Sequence, residues 1–125
     1  MLAKAKAMAT IPAEDLERGV KFYRDVLELK QLDAPEGSAV FEAGEGSTIF
    51  MYQRARTIAE HTAITFTVAD LEDVVTGLSA KGVKFEQYDF GEVGKTDAVG
   101  IVDMGGAKLA WLIDPEGNIL ALTEG

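Results

Sequence analysis

The chain of 125 residues carries a single histidine, His61, and no cysteine. Proton transfer and ion binding therefore fall almost entirely to carboxylates. An imidazole with an ordinary pKa of about 6.5 suits general-base work near neutral pH, and His61 opens an extended stretch, "HTAITFTV". The competing reading makes it a solvated residue at the rim of a sheet. Glu86 is the second candidate for acid–base chemistry. It belongs to "FEQYDFGEVGKTDAVG", which also holds Asp89 and Glu92, so paired carboxylates with separated acid and base roles are open to it. Nothing in the spacing demands such a pair, and an acidic loop is ordinary in a chain of this charge. Composition excludes thiolate catalysis, thiolate metal sites and disulfide scaffolds. A two-histidine, one-carboxylate iron site within one subunit is excluded on the same ground.

Twenty-one Asp and Glu against twelve Lys and Arg give a formal net charge of -9. Such a field repels phosphate backbones and draws cations, so nucleic acid is not expected as a partner. The plainer reading is that the charge keeps the protein soluble. "MLAKAKAMATI" has no apolar run of signal-peptide length, and no stretch reaches the roughly 20 apolar residues of a membrane span. A cytoplasmic protein without a membrane partner is expected.

The elements that must carry these groups occur in duplicate. "AMATIPAEDLERGV" and "HTAITFTVADLEDVV" share one shape: an extended segment, then an Asp opening a "DLE" triplet, then a helical pattern. Leu16, Val20, Tyr23 and Leu27 fall on one stripe of the first helix, and Leu71, Val74, Val75 and Leu78 on one stripe of the second. Gly82 is a stop signal. Asp15 and Asp70 stand where an N-cap carboxylate takes up free backbone N–H groups. That capping role accounts for both without chemistry. After each helix the period becomes extended: "KQLDA", "SAVFEAG" and "STIFMYQ" follow the first, and "VKFEQYDF", "GAKLAWLI" and "NILALTE" the second. Between Gly91 and Val102 the second copy carries a glycine-rich insertion, expected to be a mobile loop ending in an extra strand, able to close as a lid. The pattern predicts an α+β fold and one domain over 1–125, built from two βαβββ modules in pseudo-twofold arrangement, the first over 5–54 and the second over 61–125.

"DLERGVKFYRDVLELK", "VADLEDVV" and "WLIDPEGNILAL", in that order and at that spacing, resemble the signatures of the vicinal oxygen chelate superfamily of glyoxalases, bleomycin-resistance proteins and dioxygenases. The resemblance spans nearly the whole chain. It implies two curled, mixed four-stranded sheets around a shared cleft, with helices on the outer faces, and a homodimer. In metal-using members the ligands stand at four strand positions, normally as His, Gln or Glu. One lies seven residues before each capping Asp and one lies four residues after each hairpin glycine. Here these positions are Met8, Ala63, Phe50 and Ala121. Hydrocarbon and thioether groups do not supply the oxygen or imidazole donors that Mg, Mn, Fe or Zn require, so no metal and no cofactor is expected.

Alternation along the strands gives the cleft lining. Ile64, Phe66 and Val68 suit the helix side, as do Leu120 and Leu122, leaving Ala63, Thr65, Thr67, Ile119, Ala121 and Thr123 for the cleft together with His61, Leu109, Trp111 and Ile113. Across from them come Thr48, Phe50 and Tyr52, with Met8 and Thr10 nearby; Tyr88 joins from the second copy's acidic stretch. The expected product is an apolar, aromatic-walled pocket with hydroxyls, suited to a small organic ligand. Trp111 reads equally as core filler, and Phe50 and Met8 as plugs of the former metal cavity. Two functions compete. In the first the cleft binds a small organic ligand, cationic or aromatic, without a metal, as the resemblance to bleomycin-resistance proteins implies. In the second the protein is a glyoxalase-type lyase or isomerase, or a dioxygenase-like enzyme, with an atypical metal site or with acid–base chemistry by His61 and nearby carboxylates, Glu86 among the candidates.

Overall fold

The computed structural model describes all residues, 1–125, and they form two compact units, Met1–Thr57 and Ile58–Gly125. In the first unit the chain runs through β1 (Ala9–Ala13), α1 (Leu16–Lys21), β2 (Lys30–Leu32), β3 (Ser38–Ala43) and β4 (Ser47–Gln53). In the second it runs through β5 (Thr62–Val68), α2 (Leu71–Ala80), β6 (Val102–Met104), β7 (Ala107–Ile113) and β8 (Ile119–Glu124). The sheet orders are β1-β4-β3-β2 and β5-β8-β7-β6. Each sheet is mixed in the same way, since β1 and β5 pair parallel with β4 and β8 while the remaining pairs are antiparallel. The duplicated sequence thus folds into one topology used twice.

Both junctions are built by the aspartates expected to build them. Asp15 accepts a hydrogen bond from the Arg18 backbone N–H at 3.1 Å, and Asp70 accepts one from Asp73 at the same distance. A second carboxylate supports α2, because Glu124 Oε1 on the last strand accepts the Leu71 N–H at 3.0 Å. The helix ends at Gly82, where φ of +94° lets the Val83 and Gly82 N–H groups reach back to Leu78 and Ser79. The first helix departs from the simple period. After Lys21 it widens into a π turn over Phe22–Val26, with Leu27 N–H bonded to Phe22 C=O. Tyr23 is consequently the fully buried member of its stripe, while Leu16, Val20 and Leu27 are only half-buried.

Each helix lies on its own sheet. α1 rests against β3 and β4, and α2 against β7 and β8. The first core gathers Ile11, Phe41, Ile49 and Met51 with Tyr23, whose ring stacks on Phe41 at 5.5 Å. The second gathers Leu71, Val75, Ala110, Leu112 and Leu120. Burying one such Leu contributes about 1.5–3 kcal/mol.

One strand assignment is corrected. "VKFEQYDF" does not form a strand; it touches the sheet only through an isolated bridge from Phe85 to Leu112, and the edge position belongs to Val102–Met104. The reason lies in its hydrogen bonds. Glu86 N–H still reaches Trp111 C=O at 2.8 Å, but Tyr88 then bonds with Thr96 and Phe90 with Gly94, so the segment folds back on its own loop. This loop is a tied turn and not an open strap. Asp89 accepts from Gly91 N–H, while Asp97 accepts from Val99 and Ile101.

Candidate functional site

The face of the second sheet away from α2 is set by register. Ala110 and Leu112 pair with Leu122 and Leu120 and are buried, while Leu109, Trp111 and Ile113 pair with Thr123, Ala121 and Ile119 on the opposite face. β5 joins this face with a slip. Thr62 pairs with Ile119 and Ile64 with Leu120, so Ala63 is an extra residue in a bulge. Beyond the bulge Thr65 and Thr67 share the face of Ala121 and Thr123; before it, Thr62 does so in place of Ala63. A single inserted residue therefore reverses the alternation at the beginning of the strand.

A pocket of about 400 Å³ opens beside that bulge. Glu60, His61 and Thr62 are its polar lining, and Tyr88, Phe90, Trp111 and Ile119, which pairs with Thr62, are its apolar and aromatic lining. Three rings meet there. Tyr88 and Trp111 are edge to face at 5.3 Å, Phe90 and Trp111 are tilted at 5.5 Å, and Tyr88 and Phe90 are tilted at 5.8 Å. None of these pairs is stacked in parallel. The rings are brought together by the diverted segment: the Phe85–Leu112 bridge lays it along β7, and residues two apart then project to the same side.

Thr96 fixes the segment's position. Its buried hydroxyl accepts the Tyr88 backbone N–H at 2.9 Å and lies 2.7 Å from Gln87 Oε1, while its own N–H reaches Tyr88 C=O at 2.9 Å. Burial holds the Tyr88 phenol above its ordinary pKa, and the nearby Glu86 carboxylate pushes in the same direction. Tyr88 is thus a neutral hydrogen-bonding group throughout the physiological range.

Of the candidate residues, His61, Tyr88 and Trp111 line this pocket. Ala63 stands in the bulge and does not, Thr65 and Ala121 lie farther along the same face, and Glu86 acts on Tyr88 from outside the lining. Met8, Thr10, Thr48, Phe50 and Tyr52 belong to the first unit. There Thr10 pairs with Phe50, Phe50 and Tyr52 stack at 6.4 Å, and Met8 is 47% exposed just before β1. Ile119, which alternation assigned to the cleft, lines the pocket as well, whereas Glu60, Thr62 and Phe90 are lining residues absent from the sequence-based set of site residues. Phe90 was within reach of alternation from Tyr88, whereas Thr62 depends on the bulge.

A divalent ion does not fit the residues at the four family positions. Met8, Phe50, Ala63 and Ala121 present no hard donor, and no three His, Asp or Glu side chains anywhere in the chain gather closely enough to hold an ion. No helix is long and apolar enough to cross a membrane.

No curated protein matches the chain. Among solved structures it is similar to the lactoylglutathione lyase from Agrobacterium tumefaciens, with TM-score 0.69 and 21% identity over 98% of this chain and 96% of that one. The fosfomycin resistance protein FosX from Listeria monocytogenes superposes with TM-score 0.71 at 13% identity, covering 95% and 91%. A glyoxalase/bleomycin resistance protein from Catenulispora acidiphila DSM 44928 gives TM-score 0.67 at 26% identity, covering 96% and 97%. The family model for the glyoxalase/bleomycin resistance protein/dioxygenase superfamily matches residues 7–122. With its signatures now seen as one strand–cap–helix device used twice, the chain belongs to the glyoxalase/bleomycin resistance protein/dioxygenase superfamily.

Proposed function

We propose that the protein binds a small organic molecule with an aromatic part in the pocket of the Ile58–Gly125 unit, and does so without a metal. The observation that carries this reading is the convergence of Tyr88, Phe90 and Trp111 at a 400 Å³ pocket that Glu60, His61 and Thr62 also line. Such a mixed lining matches a ligand with a flat apolar body and a hydrogen-bonding group. Donor chemistry at Met8, Phe50, Ala63 and Ala121 supports metal independence. An acid–base enzyme is the second reading: Glu86 is not among the lining groups, but Glu60 lines the pocket beside His61.

Trp111 is the only tryptophan, so its emission reports on the pocket directly. Protein purified without chelators is assayed for bound metal and titrated with small aromatic compounds of each charge while that emission is followed. Saturable changes with no stoichiometric metal are expected. Stoichiometric divalent metal whose removal abolishes binding overturns the metal-free reading, and an emission indifferent to every compound overturns the binding reading.

A further inference from the structure

Resting on that reading, we infer that the pocket selects an alkylated ammonium, tertiary or quaternary, carried on a small aromatic body. Charge comes first. Glu60 is the acidic lining residue, and no lysine or arginine lines the pocket, so a carboxylate, phosphate or phosphonate entering it meets no fixed positive partner. The chain's net charge of -9 acts in the same direction at longer range, raising the local concentration of cations. Glu86 adds a second carboxylate near enough to bear on the Tyr88 phenol.

The aromatic wall narrows the class of cation. Tyr88, Phe90 and Trp111 meet at interplanar angles of 51° to 72°. No ring is therefore stacked in parallel on another of this trio, and a single edge-on contact covers one of the two faces of the ring it meets. A positive centre over an aromatic face is attracted by the ring quadrupole, most strongly by Trp. A primary ammonium gives up hydration on three N–H donors when it approaches rings that return no hydrogen bond. N-alkyl groups carry the same charge behind a surface that packs against Phe90 and Ile119, so desolvation costs less.

The test compares benzyltrimethylammonium, its neutral carbon isostere neopentylbenzene, benzylammonium and phenylacetate, each titrated against Trp111 emission at one fixed pH. Benzyltrimethylammonium is expected to bind about tenfold more tightly than neopentylbenzene and more tightly than benzylammonium, with phenylacetate the weakest. Glu60→Gln weakens the quaternary cation by about twofold to fivefold and leaves neopentylbenzene unchanged. Phe90→Leu, at a residue 40% exposed and so tolerant of change, weakens the cation by about threefold. Equal affinity for the cation and its neutral isostere overturns the charge selection while leaving the pocket reading intact. Tighter binding of benzylammonium overturns the alkylated class. Silence toward all four, together with a flat response to the wider aromatic panel, removes both readings.

Discussion

Tyr88 stands edge-on to Trp111 with ring centroids 5.3 Å apart and planes inclined by 72°, and its backbone N–H is held at 2.9 Å by the hydroxyl of Thr96. The aromatic contact thus depends on a polar group that never touches the pocket. Thr96→Val keeps the side-chain volume and removes the hydroxyl, leaving the Tyr88 N–H and the Gln87 carboxamide without their partner. A loss of about 1–3 kcal/mol is expected. A shift in Trp111 emission should accompany it, measured alongside chemical denaturation. An unchanged emission spectrum in a destabilised variant would separate Thr96 from the placement of Tyr88.

Alkaline titration reports on the same ring. Burial first, and Glu86 second, raise the Tyr88 pKa above its unfolded value of 10.0. A folded state that keeps its proton longer gains stability that is fully present below that unfolded value and is lost as pH rises through the folded pKa. Tyrosinate absorbance of the native protein, which has three tyrosines, Tyr23 among them fully buried, should therefore contain a late-ionising component from Tyr88. Tyr88→Phe should remove that component, and Glu86→Gln should move it part of the way down, since burial remains.

The two modules were legible because their determinants are local. The Asp15 and Asp70 caps, the glycine stop at Gly82 and the alternation in β7 and β8 each act within a few residues, and the fold follows them. The bulge at Ala63 was not legible, because the extra residue exists only relative to β8, where Thr62 and Ile64 meet the consecutive residues Ile119 and Leu120. The diversion of "VKFEQYDF" escaped for a similar reason. Its alternation satisfies a strand, but Thr96, eight residues beyond Tyr88, competes for the same backbone groups and wins. The pocket sits where these two nonlocal events meet, so alternation reached Tyr88 and Trp111 but placed Ala63 where Thr62 belongs.

Helix α2 has two carboxylate caps acting on different donors, Asp70 on the Asp73 N–H and Glu124 on the Leu71 N–H. Asp70→Ala and Glu124→Ala should each cost about 0.5–2 kcal/mol, with nearly additive losses in the double variant because no donor is shared. Asp15→Ala, whose helix has only six residues before the π turn, should fall in the same range. Thermal melts of the four variants check this. A double variant no worse than either single one would show that the two carboxylates act as one unit.

The hairpin before β8 makes a stronger demand. Asp114 is buried, its Oδ1 accepts the Glu116 and Asn118 backbone N–H groups at 2.9 Å, and its Oδ2 accepts the Asn118 side chain at 2.9 Å. Asp114→Ala leaves three donors short of an acceptor inside the protein, and a cost of about 3 kcal/mol or more is expected by urea denaturation. Asp114→Asn keeps one carbonyl oxygen for the turn and should recover part of that loss. Equal destabilisation by both would place the requirement on the charge and not on the acceptor geometry.

Gly100 answers to backbone and space at once. Its φ is +97°, which side chains rarely adopt, and a Cβ built there would lie 2.6 Å from the Phe85 Cβ. Phe85 cannot yield by turning a flexible end, because the near atom is the one fixed to its backbone. That backbone makes the bridge to Leu112 which lays the Tyr88 segment along β7. Gly100→Ala must therefore push Phe85 and its bridge away from the sheet, adding to a conformational strain of about 1–3 kcal/mol. The expected result is a lowered denaturation midpoint together with weakened response of Trp111 emission to the aromatic cation. Gly77→Ala, in a helix with open space around the position, should instead stabilise by about 0.5–1 kcal/mol and leave that response unchanged. If Gly100→Ala lowers stability yet binds the cation as the parent does, the Phe85 bridge does not govern the aromatic wall.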